Sequence, residues 1–504
     1  MKTPGVYVVE KSAFPNSVVE VPTAVPAFVG YTQKAANGNK SLDRKPWRIS
    51  SMAEYQAFFG GAPTPKFELQ STDADDADLK IGDTNYKLQP SRAYTLYYNM
   101  VLFFANGGGP CYIVSVGDYE TDLDKNRFTA GIEQLVSELE PTLVVIPEAV
   151  NLPWDDCLDV QNAALNHCGY DTRSRFAILD VPAGTENDVK AFREGITSNF
   201  LDYGAAYYPW LTTSITQDGD LSFANLENPA ELRSLLEKEF EASNASDELK
   251  ALMAAIAPAT AKPAKKAADS EEEADDAAAD VAAVQQDATV HKVLFQVSST
   301  YRDVLQVIKE RLNALPPSAA IAGVYTMVDN TKGVWKAPAN VGLVGVVSPA
   351  TNISNAQQEE LNVPLSGKGV NAIRSLVGEG SKVWGARTLD GNSLDWRYVN
   401  VRRTVIMLEE SIKNAARAYV FEANTANTWV NVRSMVGNFL TGIWKRGGLA
   451  GATPEEAFNV SVGLGETLTP NDVLEGSMRV SVRIALVRPA EFIEITFQQQ
   501  MQES

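Results

Sequence analysis

Between residues 91 and 211 the chain repeats one pattern, in which short continuous apolar runs alternate with helical stretches. "SRAYTLYYNMVLFFANGGG" has Leu96, Met100 and Phe103/Phe104 at helical spacing and glycines where a helix would stop. The β-branched run "CYIVSV" follows, then a predicted helix at 128–139, "TLVVIP" at 142–147, a helix at 156–168, "RFAILDVP" at 175–182, a helix at 187–198 and "YGAAYYPWL" at 203–211. Strands apolar on both sides must be covered on both faces. Their alternation with helices therefore predicts a parallel, doubly wound α/β sheet. The pattern resumes with a helix at 300–313 and "AAIAGVYTMVD".

Around this core the organisation changes three times. The first thirty residues hold a short strand candidate, Val6–Glu10, followed by Pro15, Pro22 and Pro26, and read as an extended arm over 1–30. Residues 241–290 carry eleven acidic and four basic side chains, a net of −7 out of the chain's −19, among alanines and prolines. Such a composition does not build a core and predicts a flexible surface insertion, with a part-helical spacer as the alternative. The last 120 residues or so read as a separate α+β unit. Its first helix places Leu408, Ile412, Ala415/Ala416 and Tyr419 on one face and Glu409, Glu410, Lys413 and Arg417 on the other. "VRSMVGNFLTGIWKRGGLAG" gives a second helix, and strands are expected at Met478–Val487 and Phe492–Gln498. In the last of these, Ile493, Ile495 and Phe497 alternate with Glu494, Thr496 and Gln498, so one face is apolar and needs a sheet to join. The expected division is thus 1–30, 31–380 with its insertion, and 381–504.

Composition excludes several classes. No run of about 18 apolar residues is present to cross a membrane, and the N-terminus lacks the apolar core of a signal peptide. An overall charge of −19 argues against nucleic-acid binding. Cys111, Cys157 and Cys168 are too few and too scattered for a disulfide framework, which fits folding in a reducing cytoplasm.

Candidate chemistry is sparse. "ANGGGP" at 105–110 looks like a phosphate-cradling loop, but it follows a helix and precedes a strand, the reverse of that motif's order, and reads as a helix stop. "GLGET" at 463–467 reads as a turn. His167, Cys168 and Cys157 lack the spacing of a zinc site and are expected to cap or pack. His291 borders the insertion, a poor place for a rigid base. Asp180 stands at a strand's C-terminal end, where α/β enzymes place catalytic groups, but no nucleophile motif accompanies it. No catalytic, cofactor or metal site is expected.

Read together, several phrases resemble the contractile tail sheath proteins of phages, R-type pyocins and extracellular contractile injection systems. They are "TPGVYVVE", "VPTAVPAFVG", "ISSMAEYQAFFGG", "AAYYPWL", "PPSAAIAGVYTMVDNTKGVWKAPAN", "QQEELN", "GVNAIR", "VWGARTL", "WRYVNVRR", "VFEANTANTWVNVRSMVGNFLTGIWKRGGLAG" and "RPAEFIEITFQQ". The resemblance implies a subtilisin-like α/β domain without the protease triad, plus a C-terminal α+β domain and extended strand arms. It implies hexameric rings stacked around an inner tube, stitched by terminal strands that add to neighbours' sheets. Here the matching positions are Val6, Tyr7, Val8, Val9 and Glu10, and Ile493, Glu494, Ile495, Thr496 and Phe497. Lys413 and Arg417 become candidate tube contacts, while Arg402, Arg403 and Trp396 are expected to brace the C-terminal domain internally. The implied partners are other copies of the chain, the inner tube, the baseplate and a terminator or cap, with no nucleic acid and no membrane insertion. Assembly would occur in the bacterial cytoplasm, ahead of release in a particle. The rival readings are a subtilisin-like hydrolase and a non-contractile scaffold that binds by edge strands.

Overall fold

A computed structural model describes residues 18–73, 77–90, 93–183, 186–242, 256 and 289–494. Its centre is a nine-stranded sheet. The strands are β1 (Pro26–Gly30), β2 (Trp47–Ile49), β3 (Cys111–Ser115), β4 (Leu143–Val145), β5 (Phe176–Asp180), β6 (Gly204–Tyr208), β7 (Val341–Gly342), β8 (Val370–Leu376) and β9 (Gly380–Val383). Their order is β7-β9-β8-β6-β5-β4-β1-β3-β2. The six inner strands from β8 to β3 run parallel, while β2, β9 and β7 pair antiparallel with their neighbours at the two margins.

Alternation along each strand sends side chains to two separate cores. Ala27, Val29, Val114, Val144, Ala177, Leu179 and Ala206 face helices α2 (Lys125–Gln134), α3 (Trp154–Asn166) and α4 (Glu186–Gly195). Phe28, Ile113, Leu143, Val145, Phe176, Ile178 and Ala205 face α1 (Leu96–Ala105) and α5 (Ser318–Lys332). This is the doubly wound sheet that the apolar runs demand. Each helix expected between 91 and 211 is present, with ends moved by a few residues. "ANGGGP" is the stop of α1: Asn106 Nδ2 donates to the Leu102 and Val344 carbonyls, and Gly107 turns at φ +93. A Cβ at Gly107 would lie 2.7 Å from Met327 Cβ, so glycine is required there by space as well as by conformation.

Three expectations need correction. The arm does not extend to residue 30, because Pro26–Gly30 is β1, buried throughout near the middle of the sheet. A proline that begins a strand loses no needed ladder donor, so Pro26 starts β1 instead of breaking it. The stretch 241–290 is not wholly a surface insertion. Residues 241–242 end the helix Pro229–Ala242, Val290 is buried, and Ile256 is fully buried. Ile256 and Val290 join a third core under a small sheet, Phe67–Thr72, Leu79–Ile81 and Thr84–Pro90, with the helix Ser299–Leu312. The remainder of that stretch, 243–255 and 257–288, lies outside the described residues. Finally, β9 runs to Val383, so a division at 380/381 cuts through a strand of the main sheet.

The C-terminal unit is α+β. Helices α6 (Val399–Ala416) and α7 (Ala426–Lys445) pack with a two-stranded antiparallel sheet, β10 (Phe458–Ser461) and β11 (Ser481–Ile484). The expected strand Met478–Val487 is therefore only four residues long. α6 departs from the amphipathic expectation in its first half, where Val399 to Leu408 are all buried. The reason is that α6 serves three cores: Val399 enters the α1/α5 side, Ile406 the α2/α3 side, and Met407 and Leu408 the C-terminal cluster.

Candidate assembly interface

Residues that could join one copy to another lie where the chain enters and leaves the described body. The entering segment runs over the C-terminal helices before it becomes β1. Val18 and Val21 pack against the cluster built by α6 and α7. The Val21 N–H donates to Ser411 Oγ at 3.0 Å, and Glu20 pairs with Arg446 at the end of α7. The Thr23 carbonyl accepts from Arg403 Nη2 at 2.9 Å and from Thr142 Oγ1 at 2.8 Å. Residues 1–17, and with them Val6, Tyr7, Val8, Val9 and Glu10, lie outside the described residues.

The leaving segment makes the opposite crossing. After β11, Leu486 bridges Leu449, and Asn400 Nδ2 holds the Val487 carbonyl at 3.0 Å. The chain then reaches the α/β core, where Arg387 grips the Glu491 carboxylate. Arg387 Nε donates to Oε1 at 2.9 Å and Nη2 to Oε2 at 2.7 Å, and the Tyr398 hydroxyl adds a bond at 3.2 Å. Phe492, Ile493 and Glu494 follow as exposed residues with no strand partner among the described residues. The expected strand at Phe492–Gln498 is therefore not paired within this subunit over 492–494, and Ile495, Thr496 and Phe497 lie outside the described residues.

The β10–β11 sheet has only two strands among the described residues. The pairs Phe458↔Ile484 and Val460↔Val482 are half-buried and pack on the α6/α7 cluster, while the pairs Asn459↔Arg483 and Ser461↔Ser481 alternate with them. Among the described residues no strand pairs with the outer edge of either. Two strands alone hold weakly in water, and beyond them the described residues add only the isolated bridge Leu449↔Leu486 with the Ala450 N–H on the Ala485 carbonyl, just past the end of β11.

The basic candidates separate into two kinds. Lys413 is exposed and pairs with Glu410 at 2.8 Å. Arg417 lies in the 3-10 turn after α6, exposed and without an ion pair among the described residues. Arg402 stacks on Trp396 within the C-terminal unit, but neither Arg402 nor Arg403 braces that unit alone. They fasten α6 to the core. The Arg402 guanidinium stacks 3.7 Å from the Tyr203 ring centre and 4.7 Å from that of Trp396, beside Asp202. Arg403 forks onto Asp329 of α5 at 3.1 and 2.6 Å and lies 4.6 Å from the Tyr325 ring centre. Both arginines meet partners from a segment distant in the chain, Asp202 and Tyr203 for one and Asp329 and Tyr325 for the other.

The residues that could have carried chemistry are occupied by structure. His167 ends α3, almost fully buried, with Nε2 2.7 Å from Arg175 Nη1. Burial first, then the Arg175 charge, pull its pKa down to about 4, so the ring is neutral and accepts. Cys157 and Cys168 are buried free thiols raised to about 12 by desolvation. Asp180 ends β5 as expected, but its Oδ1 accepts the Ser318 N–H at 2.8 Å, which caps α5. Burial pushes it up to about 7 against that hydrogen bond. His291 Nδ1 lies 2.9 Å from the Tyr301 hydroxyl. Glu148 passes unnoticed in the sequence. It is fully buried and accepts the N–H groups of Tyr31, Thr95 and Leu96 at 2.7, 2.7 and 3.2 Å, joining the end of β1 to the start of α1. Desolvation raises its pKa to about 7, over the opposing pull of those three donors. No described helix is long and apolar enough to cross a membrane, and no group of metal-ligating side chains occurs among the described residues.

Comparison with known proteins relates the chain to tail sheath proteins. Residues 392–500 match the phage tail sheath C-terminal domain family. The tail sheath protein of Vibrio phage KVP40 is 25% identical over 205 residues, 40% of this chain and 29% of that protein. The tail sheath protein of Burkholderia phage BcepMu is 32% identical over 116 residues, 22% of this chain and 24% of that protein. The chain thus aligns with less than a third of the length of either curated relative. Two solved structures match nearly end to end. One is the helical sheath of the anti-feeding prophage in its contracted state, with TM-score 0.61, 27% identity, and 99% of this chain and 100% of that one covered. The other is the contracted PVC sheath complex of an extracellular contractile injection system, with TM-score 0.59, 26% identity and coverage of 99% and 98%.

Proposed function

From this kinship with contractile tail sheath proteins, we propose that the chain is the structural subunit of a contractile sheath. It polymerises as helically stacked hexameric rings around an inner tube and shortens to drive that tube through a target envelope. The observation that carries this reading is the two-stranded β10–β11 sheet, with no third strand among the described residues, in a chain whose Phe492 and Ile493 are exposed and without a strand partner among them. The terminal strands, Val6–Glu10 and Ile493–Phe497, add to such sheets on neighbours. A strand making about four backbone bonds at about 0.5–1.5 kcal/mol each is modest alone. A lattice of such strands, each continuous with its own subunit, is far harder to take apart.

The subunit divides into an N-terminal arm, a subtilisin-like α/β domain and a C-terminal α+β domain that lines the inside, where Lys413 and Arg417 face the tube. Baseplate and terminator proteins bound the assembly, which forms in the bacterial cytoplasm before release in a particle. Contraction needs no nucleotide if the contracted lattice buries more apolar surface. A few hundred Å² per subunit would supply about 5–10 kcal/mol at about 25 cal/mol per Å². Calorimetry on purified particles tests this step: contraction without heat release, and without added interface area, would exclude it.

Negative-stain electron microscopy of the purified chain, beside a variant truncated after Pro489, tests the whole reading. Tubes from the intact chain and monomers from the truncated one are expected. Two well-folded monomeric proteins would show that the terminal strand does not link subunits.

A further inference from the structure

The exit of the chain at Glu491 is unusually abrupt. Up to that residue the segment is held by the Asn400 contact to Val487 and by Glu491 itself; one residue later Phe492 is 75% exposed and Ile493 79%. The socket that holds Glu491 is rigid. Arg387 is nearly fully buried, its Nη1 is fixed on the Asn362 carbonyl at 3.0 Å, and its backbone N–H is held by Asn371 Oδ1 at 2.7 Å. Tyr398, which supplies the third contact, is the residue before α6 and bridges Arg387 through the backbone. The Glu491 side chain is 19% exposed and that of Arg387 4%, so water replaces little of this pair if it opens.

We propose that Glu491 is the pin that fixes where the C-terminal arm leaves the subunit, with Arg387 and Tyr398 as its socket. This rests on the reading that the arm is donated to a neighbour. A ladder of backbone bonds would fix both the position and the direction of the departing strand. A single forked carboxylate fixes position alone and lets the following residues take a new direction without moving the root. Releasing the pin strands a buried guanidinium, so the root resists slipping while the arm swings. Glu491 is therefore a positioning residue: its contacts lie within its own subunit, and it sets the place from which Ile493–Phe497 must reach a neighbour.

Two variants and one control test the pin. Glu491→Gln weakens the grip and keeps the shape. The double variant Arg387→Met with Glu491→Leu removes it without leaving an unpaired buried charge, and so guards against misfolding. In the soluble chain, chymotryptic cleavage after Phe492 should speed up at least tenfold in both variants, while the double variant keeps its thermal midpoint within a few degrees. The yield of tubes should fall at least tenfold in both. Unchanged cleavage, or tubes at the wild-type yield and length, would overturn the pin. The chain truncated after Pro489 separates the two ideas: if it also forms tubes, the donated arm itself is wrong, whereas monomers from it beside normal tubes from the Glu491 variants refute the pin alone.

Discussion

Replacing Asp329 with alanine should be the most damaging single change at the seam between the α/β core and the C-terminal unit. Asp329 and Arg403 face each other with side-chain exposures of 2% and 3%, joined by two bonds. Removing the carboxylate leaves the guanidinium buried with the Thr23 carbonyl and the Tyr325 ring as its remaining partners. Breaking one side of such a pair costs about 3–5 kcal/mol. The ring contact retains up to about 2 kcal/mol, which places Asp329→Ala towards the lower end of that range. Arg403→Met should cost a similar amount, because it buries a lone carboxylate. The double variant should cost less than either, since no charge is left without a partner, and the coupling should reach about 2–3 kcal/mol. Urea unfolding of the soluble chain, followed by circular dichroism, measures all four corners. A loss below about 1 kcal/mol for Asp329→Ala, or strict additivity in the double variant, would refute the idea that this pair holds α6 to α5.

The buried acids and histidine set opposite pH trends. Glu148 is raised to about 7 when folded, above its ordinary 4.5, so its contribution is present below about pH 4.5 and lost as the pH rises through 7. The stability difference between the wild type and Glu148→Gln should fall across that window by up to about 1.4 kcal/mol per pH unit, and a flat difference would contradict it. His167 is lowered to about 4 from 6.5, so its unfolded form takes up the proton first; the wild type should lose stability from pH 6.5 down to 4, and His167→Gln should lose less, as thermal scans at each pH would reveal. Gly323→Ala should destabilise by about 1–3 kcal/mol, because a Cβ there would lie 2.6 Å from the Phe103 carbonyl oxygen and 2.9 Å from Asn106 Cβ; an unchanged melting midpoint would mean that α1 and α5 can separate freely. Ser411→Ala should cost about 1 kcal/mol and quicken proteolysis near Val21, whose N–H loses its acceptor; unchanged cleavage would argue against that anchor.

The layered sheet was legible because β3, β4, β5 and β6 are continuous apolar runs bounded by glycine, proline and helix signals. β1 was not, because Pro22 and Pro26 suggest a break and the strand's purpose is visible only beside β3 and β4, far along the chain. Asp180 was placed correctly at its strand end, but its role depends on Ser318, which lies 138 residues away. Glu148 is a single acid in an unremarked turn, and only the convergence of three backbone donors gives it meaning. The burial of α6 was hidden for the same reason, since Arg402 and Arg403 were expected to brace the C-terminal domain, and their partners Asp202, Tyr203, Asp329 and Tyr325 all come from the core. The expected terminal strand showed its alternation, but no period within one chain can say whether a sheet receives it.

The two termini cross. The segment that precedes the core is rooted on α6 and α7 through Ser411, Arg403 and Arg446, and the segment that follows the C-terminal unit is rooted on the core through Arg387. With the entry into α6 itself, the chain passes between the two halves three times. One tether permits a swivel and two permit a hinge. Three tethers, with Arg402 and Arg403 bolting α6 down between them, leave no free axis. The described body then behaves as a single solid piece, braced where its entering and leaving segments cross.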